Sequence, residues 1–168
     1  DATNYTPVNL SFAGVTSAGT LTVRTTTPDH PNIATSTINP AQTANRYWTL
    51  TNAGIALGSY DATFAFVAGD KDAGADPTQF IVGRYAAATW TYPTVGTKTA
   101  TSTQATGLNA FGDFQLGQVG LTFTSNVSGN GNTPGTWTPA GPPGAGPFPA
   151  PGPGRGARAR GCSDGAST

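Results

Sequence analysis

Short alternations of apolar and polar side chains recur along the first three quarters of the chain, each bounded by Gly, Pro, Asn or Asp. "PVNLSF" sets Val8, Leu10 and Phe12 on one face, and "TLTV" does the same with Leu21 and Val23. "RYWTLT" puts Trp48 and Leu50 on one side and Tyr47 on the other. "DATFAFV" contributes Phe64 and Phe66, and "QFIVGRY" sets Phe80 and Val82 against Ile81 and Tyr85. "ATWTYP", "FGDFQLG" and "VGLTFT" add Trp90 with Tyr92, Phe114 with Leu116, and Val119 with Leu121 and Phe123. A period of two over four to eight residues marks strands half buried against a core, and nothing in the chain repeats at the helical period. About eight such strands predict an all-β fold, a single Ig-like, Greek-key β-sandwich over residues 1–127. The connection from 26 to 45, "TTPDHPNIATSTINPAQTAN", carries three prolines and is expected to cross between the two sheets.

After Asn126 the pattern stops. "SGNGNTPGTWTPAGPPGAGPFPAPGPGRGARARGCSDGAST" is dominated by Pro and Gly, without the every-third-residue glycine of collagen. Residues 128–168 are therefore an irregular, extended Pro/Gly/Arg-rich tail, expected to gain order by contact with neighbouring copies. Trp137 and Phe148 have no core of their own there and read as anchors for pockets on an adjacent subunit.

Composition sharpens this picture. Charged residues are 10% of the 168, against roughly 25% in an ordinary globular chain. Thr runs such as "TVRTTT" and "GTKTATSTQAT" suit a pleated, half-exposed surface. There is no Met, so the chain is expected to be a mature product whose secretion leader has been removed. No apolar run reaches the roughly 18 residues of a membrane span. A lone Cys162 excludes a disulfide framework within one chain, leaving a thiol free or cross-linked to a second copy. Sequons at Asn4, Asn9 and Asn126 matter only in a host that glycosylates them.

The chemistry-bearing residues are few. "AGDKDAGAD" gathers Asp70, Asp72 and Asp76 on one Gly-rich turn between two strands. Their spacing offers hard oxygen ligands to calcium, but the twelfth-position Glu of an EF-hand is absent and Lys71 opposes a divalent ion. The expectation is an acidic surface turn whose carboxylates stay solvated and ionised. No cofactor is expected, calcium being the one metal the pattern admits. His30 sits alone between two prolines, no G-x-S-x-G or phosphate-binding Gly loop occurs, and no pair of carboxylates faces across a cleft, so no enzyme is expected. Arg155, Arg158 and Arg160 give the tail a net charge of +2, while residues 1–127, with five cations and seven acids, carry −2. Docking of the basic tail of one copy on the acidic turn of another follows from those signs. Nucleic acid is not an expected partner.

The stretch from His30 to Gln118, with "NRYWTLTN", "FIVGRY" and "ATGLNAFGDFQLG", resembles a β-sandwich repeat of large secreted, adhesin-like bacterial surface proteins. The resemblance covers about half of the chain and leaves the tail outside it. It implies an extracellular, cell-surface structural or adhesive module and brings no catalytic residues with it. Two functions remain for the structure to bear on. One is a filament or adhesin subunit that joins copies by adding a terminal segment to a neighbour's sheet, with Val8, Leu10 and Phe12 or the aromatic tail as donor. The other is a carbohydrate-binding module for surface glycans, which needs exposed, coplanar aromatics on one sheet face. Trp48 and Trp90, on alternating strands, read as core.

Overall fold

A computed structural model describes residues 4–120, together with the backbone of 124–125 and 137–138. The chain falls into two units, Asp1–Leu121 and Thr122–Thr168. The first contains β1 (Val8–Phe12), β2 (Val15–Ser17), β3 (Thr20–Thr26), β4 (Ile38–Ala53), β5 (Ala56–Leu57), β6 (Tyr60–Ala65), β7 (Ile81–Ala86), β8 (Thr89–Thr91), β9 (Thr94–Thr99), β10 (Ser102–Leu108) and β11 (Gly112–Val119). Single 3-10 turns occur at Ile33–Thr35, Ala68–Asp70 and Pro77–Gln79. Among the described residues no helix is long and apolar enough to cross a membrane.

The strands form an antiparallel four-stranded sheet ordered β1-β6-β10-β9 and an antiparallel five-stranded sheet ordered β3-β4-β11-β7-β8. A two-stranded β2-β5 ladder is separate. Side chains of one parity on each sheet meet between them: Trp48, Leu50, Val82, Phe114 and Leu116 from the larger, Tyr60, Ala62, Phe64, Ala105 and Leu108 from the smaller. The Phe64 ring lies 5.3 Å from Trp48 and 4.9 Å from Phe114, joining the two layers at their centre. The order β1-β6-β10-β9 opposite β7-β11 reproduces the two-sheet strand arrangement of an immunoglobulin sandwich. The place beside β11 that the last Ig strand fills is taken here by β4, from early in the chain.

Three expectations change. The 26–45 connection does not cross between sheets, because β3 and β4 pair with each other from Thr20↔Ala53 to Thr26↔Tyr47. Its second half is already β4, which begins at Ile38, and its first half folds back over the outer face of its own sheet. Next, β9 and β10 lie in the Thr-rich stretch that shows no apolar alternation. The inward positions of β10 are Thr103, Ala105 and Leu108, and the two small ones stand beside Phe64 and Ala62 of β6. The two sheets together hold nine strands, in agreement with the expected count of about eight. Third, Trp90 belongs to the outer face rather than the core.

In the second unit β12 (Thr124–Ser125) pairs antiparallel with β13 (Trp137–Thr138), so Trp137 has a backbone partner within its own chain. Phe148, Arg155, Arg158, Arg160 and Cys162 lie outside the described residues, as does the Trp137 side chain.

Candidate functional site

Arg46 shares the parity of Trp48 and Leu50 on β4 and therefore points into the sandwich. It is 0% exposed. A guanidinium taken out of water needs a carboxylate with matching geometry and further acceptors. Asp70 supplies the first: Arg46 Nε donates to Oδ2 at 2.8 Å and Nη2 to Oδ1 at 2.7 Å, a two-pronged pair. Nη1 donates to the buried Thr6 Oγ1 at 3.0 Å, and the Thr6 carbonyl accepts from Trp48 Nε1 at 3.3 Å. The segment preceding β1 is thereby tied to the middle of β4. Asp70 also accepts from the Val67 amide at 3.1 Å and from Asn4 Nδ2 at 3.3 Å, so the amide of the first sequon is directed at this carboxylate.

Asp72 performs a second tie. The β4–β11 register slips between Gln115↔Tyr47 and Gly117↔Thr43, leaving β4 with extra residues around Asn45, whose φ is 47°. Such a bulge strands backbone donors that must be met elsewhere. Asp72 Oδ2 accepts from the Thr43 amide at 2.7 Å and Oδ1 from Asn45 Nδ2 at 2.7 Å, while the Asp72 amide donates to the Thr43 carbonyl at 3.1 Å. Gly117 makes the bulge sterically feasible. A Cβ there would stand 2.5 Å from Ile38 Cγ2 and 3.0 Å from the Gln42 carbonyl. Asp76 is exposed and caps the Pro77–Gln79 turn, accepting from the Thr78 amide at 2.9 Å. That bond, followed by the one from the Thr78 hydroxyl, holds its carboxyl below the usual 3.8.

The solvated acidic turn is therefore corrected for Asp70, whose side chain is 8% exposed and ion-paired. The three carboxylates point to three different sets of partners, and among the described residues no three His, Cys, Asp or Glu side chains converge to hold a metal. The signal for Arg46 was present in the sequence. An Arg two residues before an inward Trp, on the same strand, is inward too and demands an acid.

On the outer face of the five-stranded sheet, Tyr47, Tyr85 and Trp90 surround His30 with ring centroids 5.0, 4.6 and 5.1 Å away. His30 is 4% exposed. Its Nδ1 accepts from the Asn32 amide at 3.1 Å, which leaves the proton on Nε2, facing Asp113 Oδ2 at 3.2 Å. Trp90 Nε1 donates to the Asn32 carbonyl and to Thr35 Oγ1, both at 3.1 Å, and Asn32 Nδ2 donates to the Tyr85 hydroxyl at 2.8 Å. These contacts hold the 27–37 loop down as a lid. The aromatics do gather on one face, but they meet His30 at 50° to 80° and are roofed by the loop, which is not the open coplanar platform that flat sugar stacking requires. Both imidazole nitrogens are engaged.

A link joins the two clusters. Asp29 Oδ1 accepts from Thr43 Oγ1 at 2.7 Å and from Gln115 Nε2 at 2.8 Å, and Gln115 Oε1 accepts from the His30 amide at 2.9 Å. Burial pushes the Asp29 carboxyl up from 3.8 and the Asp72 charge adds to this, while the Thr43 and Gln115 bonds offset part of it.

Val8 and Leu10 of β1 pack against the core and Phe12, 36% exposed, lies 5.7 Å from the Tyr60 ring. β1 pairs with β6 of its own chain from Val8↔Phe64 to Phe12↔Tyr60.

Fold and polar clusters together define an all-β sandwich whose interior charges fasten its strands to one another. Neither a protein-family model, nor a curated protein, nor a solved structure matches the chain.

Proposed function

We propose that the chain is an extracellular structural module of a bacterial surface adhesin or filament, which joins copies of itself through strand addition. One observation carries the structural-module reading: Arg46, Asp70 and Thr6 are committed to one another, fastening the N-terminal segment, β4 and the β6–β7 connection without a disulfide. A module that must keep its shape outside the cell gains from such a brace. Strand addition is supported by the position of β1, which is the first strand among the described residues, lies at a sheet edge and presents a two-residue apolar alternation to the core. The β6 edge that accepts β1 within one chain offers the same register to the β1 of another.

Covalent trapping tests this. Asn9 and Thr63 are register partners on the outward side of β1 and β6. In the full chain carrying Asn9→Cys, Thr63→Cys and Cys162→Ser, oxidation during assembly yields a ladder of covalent multimers on a non-reducing gel if β1 is exchanged. A monomer band alone, at concentrations where sedimentation detects multimers, sinks the strand-addition reading.

A further inference from the structure

Arg84 lies two residues beyond Val82 on β7 and pairs in register with Phe114, so it too is on the face that meets the opposite sheet. Its Nη1 donates to the Phe111 carbonyl at 2.9 Å. Among the described residues it has no carboxylate partner, and Nε and Nη2 are left without acceptors. Tyr60, close by, is no counter-ion, because burial holds its phenol well above the ordinary range in spite of the Arg84 charge. Arg84 borders a cleft of about 390 Å³ whose further lining includes Tyr92, Pro93, Thr106, Gly107 and Asn109, and no acidic residue. Asp61 accepts from the Gly107 amide at 2.9 Å and does not line the cleft.

The lining is polar with one apolar wall. Tyr92 is 40% exposed and is held in place by the Thr37 amide, which donates to its hydroxyl at 2.6 Å. Asn109 is exposed and its amide makes no hydrogen bond among the described residues. The volume is at the low end of the roughly 300–1,000 Å³ of small-ligand pockets, which suits one or two sugar rings. A planar guanidinium with two free donor nitrogens is the preferred partner of a carboxylate.

We propose that this cleft binds a carboxylate-bearing sugar, a uronic acid unit of a polysaccharide, with Arg84 on the carboxylate, Asn109 on ring hydroxyls and Tyr92 with Pro93 against the apolar face of the ring. The inference stands apart from the assembly reading and would survive a chain that never multimerises.

The test titrates the intact protein, followed by amide NMR, with oligogalacturonate, with the neutral galactose oligomer of equal length, and with acetate. The expected result is shifts at Gly107–Asn109, and acidic-oligomer affinity about tenfold or more above the neutral one, the scale of one charge-assisted contact. Arg84→Gln is expected to abolish that preference. Asn109→Trp, at an exposed position away from the charge, is expected to block the cleft while leaving the rest of the spectrum unchanged. The proposal fails if no acidic oligomer shifts these amides, if acidic and neutral oligomers bind alike, or if acetate alone reproduces both shifts and affinity. Unchanged binding in a folded Asn109→Trp chain also overturns it.

Discussion

Arg46 and Arg84 are the same residue type, each on an inward-facing strand position, at opposite ends of β6. At one end, next to the residues that follow Ala65, Arg46 is 0% exposed and gripped by both oxygens of Asp70. At the other, beside Tyr60 and Phe111, Arg84 is partly exposed and gives one bond to a backbone carbonyl. The difference lies in what the flanking connections supply. The β6–β7 turn brings three acids to the first end, whereas the β8–β9 and β10–β11 connections bring Tyr92, Pro93 and Asn109 to the second. A buried charge answered from within serves the fold, while a half-buried one left unanswered can serve a ligand.

The largest expected effect tests the closed end. Arg46→Met leaves Asp70 a buried carboxylate without its counter-ion and should cost about 3–5 kcal/mol in urea denaturation. Arg84→Met removes one bond to a carbonyl at a partly solvated site and should cost only about 1 kcal/mol. Equal losses would erase the distinction between the two ends. Arg46→Met combined with Asp70→Asn should be less destabilised than the sum of the single changes, since the two side chains form one unit.

Crowding is the next point of contrast. At the closed end Gly117→Ala drives a methyl into Ile38 and the Gln42 carbonyl under the β4 bulge, and about 1–3 kcal/mol of destabilisation is expected. A neutral outcome in thermal unfolding would mean that the bulge is slack there, and that Asp72 alone holds it.

Much of this architecture was legible in the chain. Parity assigned Trp48, Leu50, Phe64, Phe80 and Val82 to the core because large apolar groups alternated with polar ones on strands with one wet face. It failed at β10 because a central strand facing bulky neighbours fills its inward positions with Thr103 and Ala105, which look like surface. It failed for the 26–45 connection because prolines announce a turn but not which face the chain then covers. The acidic turn was legible as a turn. Its partner was hidden, since no spacing rule links Arg46 to Asp70 across 24 residues, and only the inward parity of the arginine pointed to one. The Arg84 cleft depends on three separate connections meeting, which no local pattern encodes.

Between the two ends, β10 offers a smaller effect of opposite sign. Thr103 Oγ1 is a buried side-chain oxygen without a hydrogen-bond partner among the described residues. Thr103→Val keeps the shape and removes the desolvated hydroxyl, so a gain of about 1 kcal/mol is expected from chemical denaturation. A loss would show that the hydroxyl finds a partner in solution and that the centre of the sandwich is less dry than its ends imply.

The smallest effect concerns how the closed end responds to acid. Asp29 is held above 3.8 chiefly by burial, so between 3.8 and its folded value the native chain binds more protons than the unfolded one. Through that window this group makes stability fall as pH rises, and the unfavourable contribution is fully present above it. Asp76 works in the other direction: its carboxyl lies below 3.8, so its favourable contribution is present above 3.8 and disappears as pH falls through the folded value. Asp29→Asn keeps an oxygen for Thr43 and Gln115 but cannot ionise beside Asp72. Its stability relative to the parent chain, from urea curves at a series of pH values, should therefore increase from pH 4 toward pH 7. A relative decrease over the same range would mean that the two donors outweigh burial and that the closed end answers every one of its charges, Asp29 included.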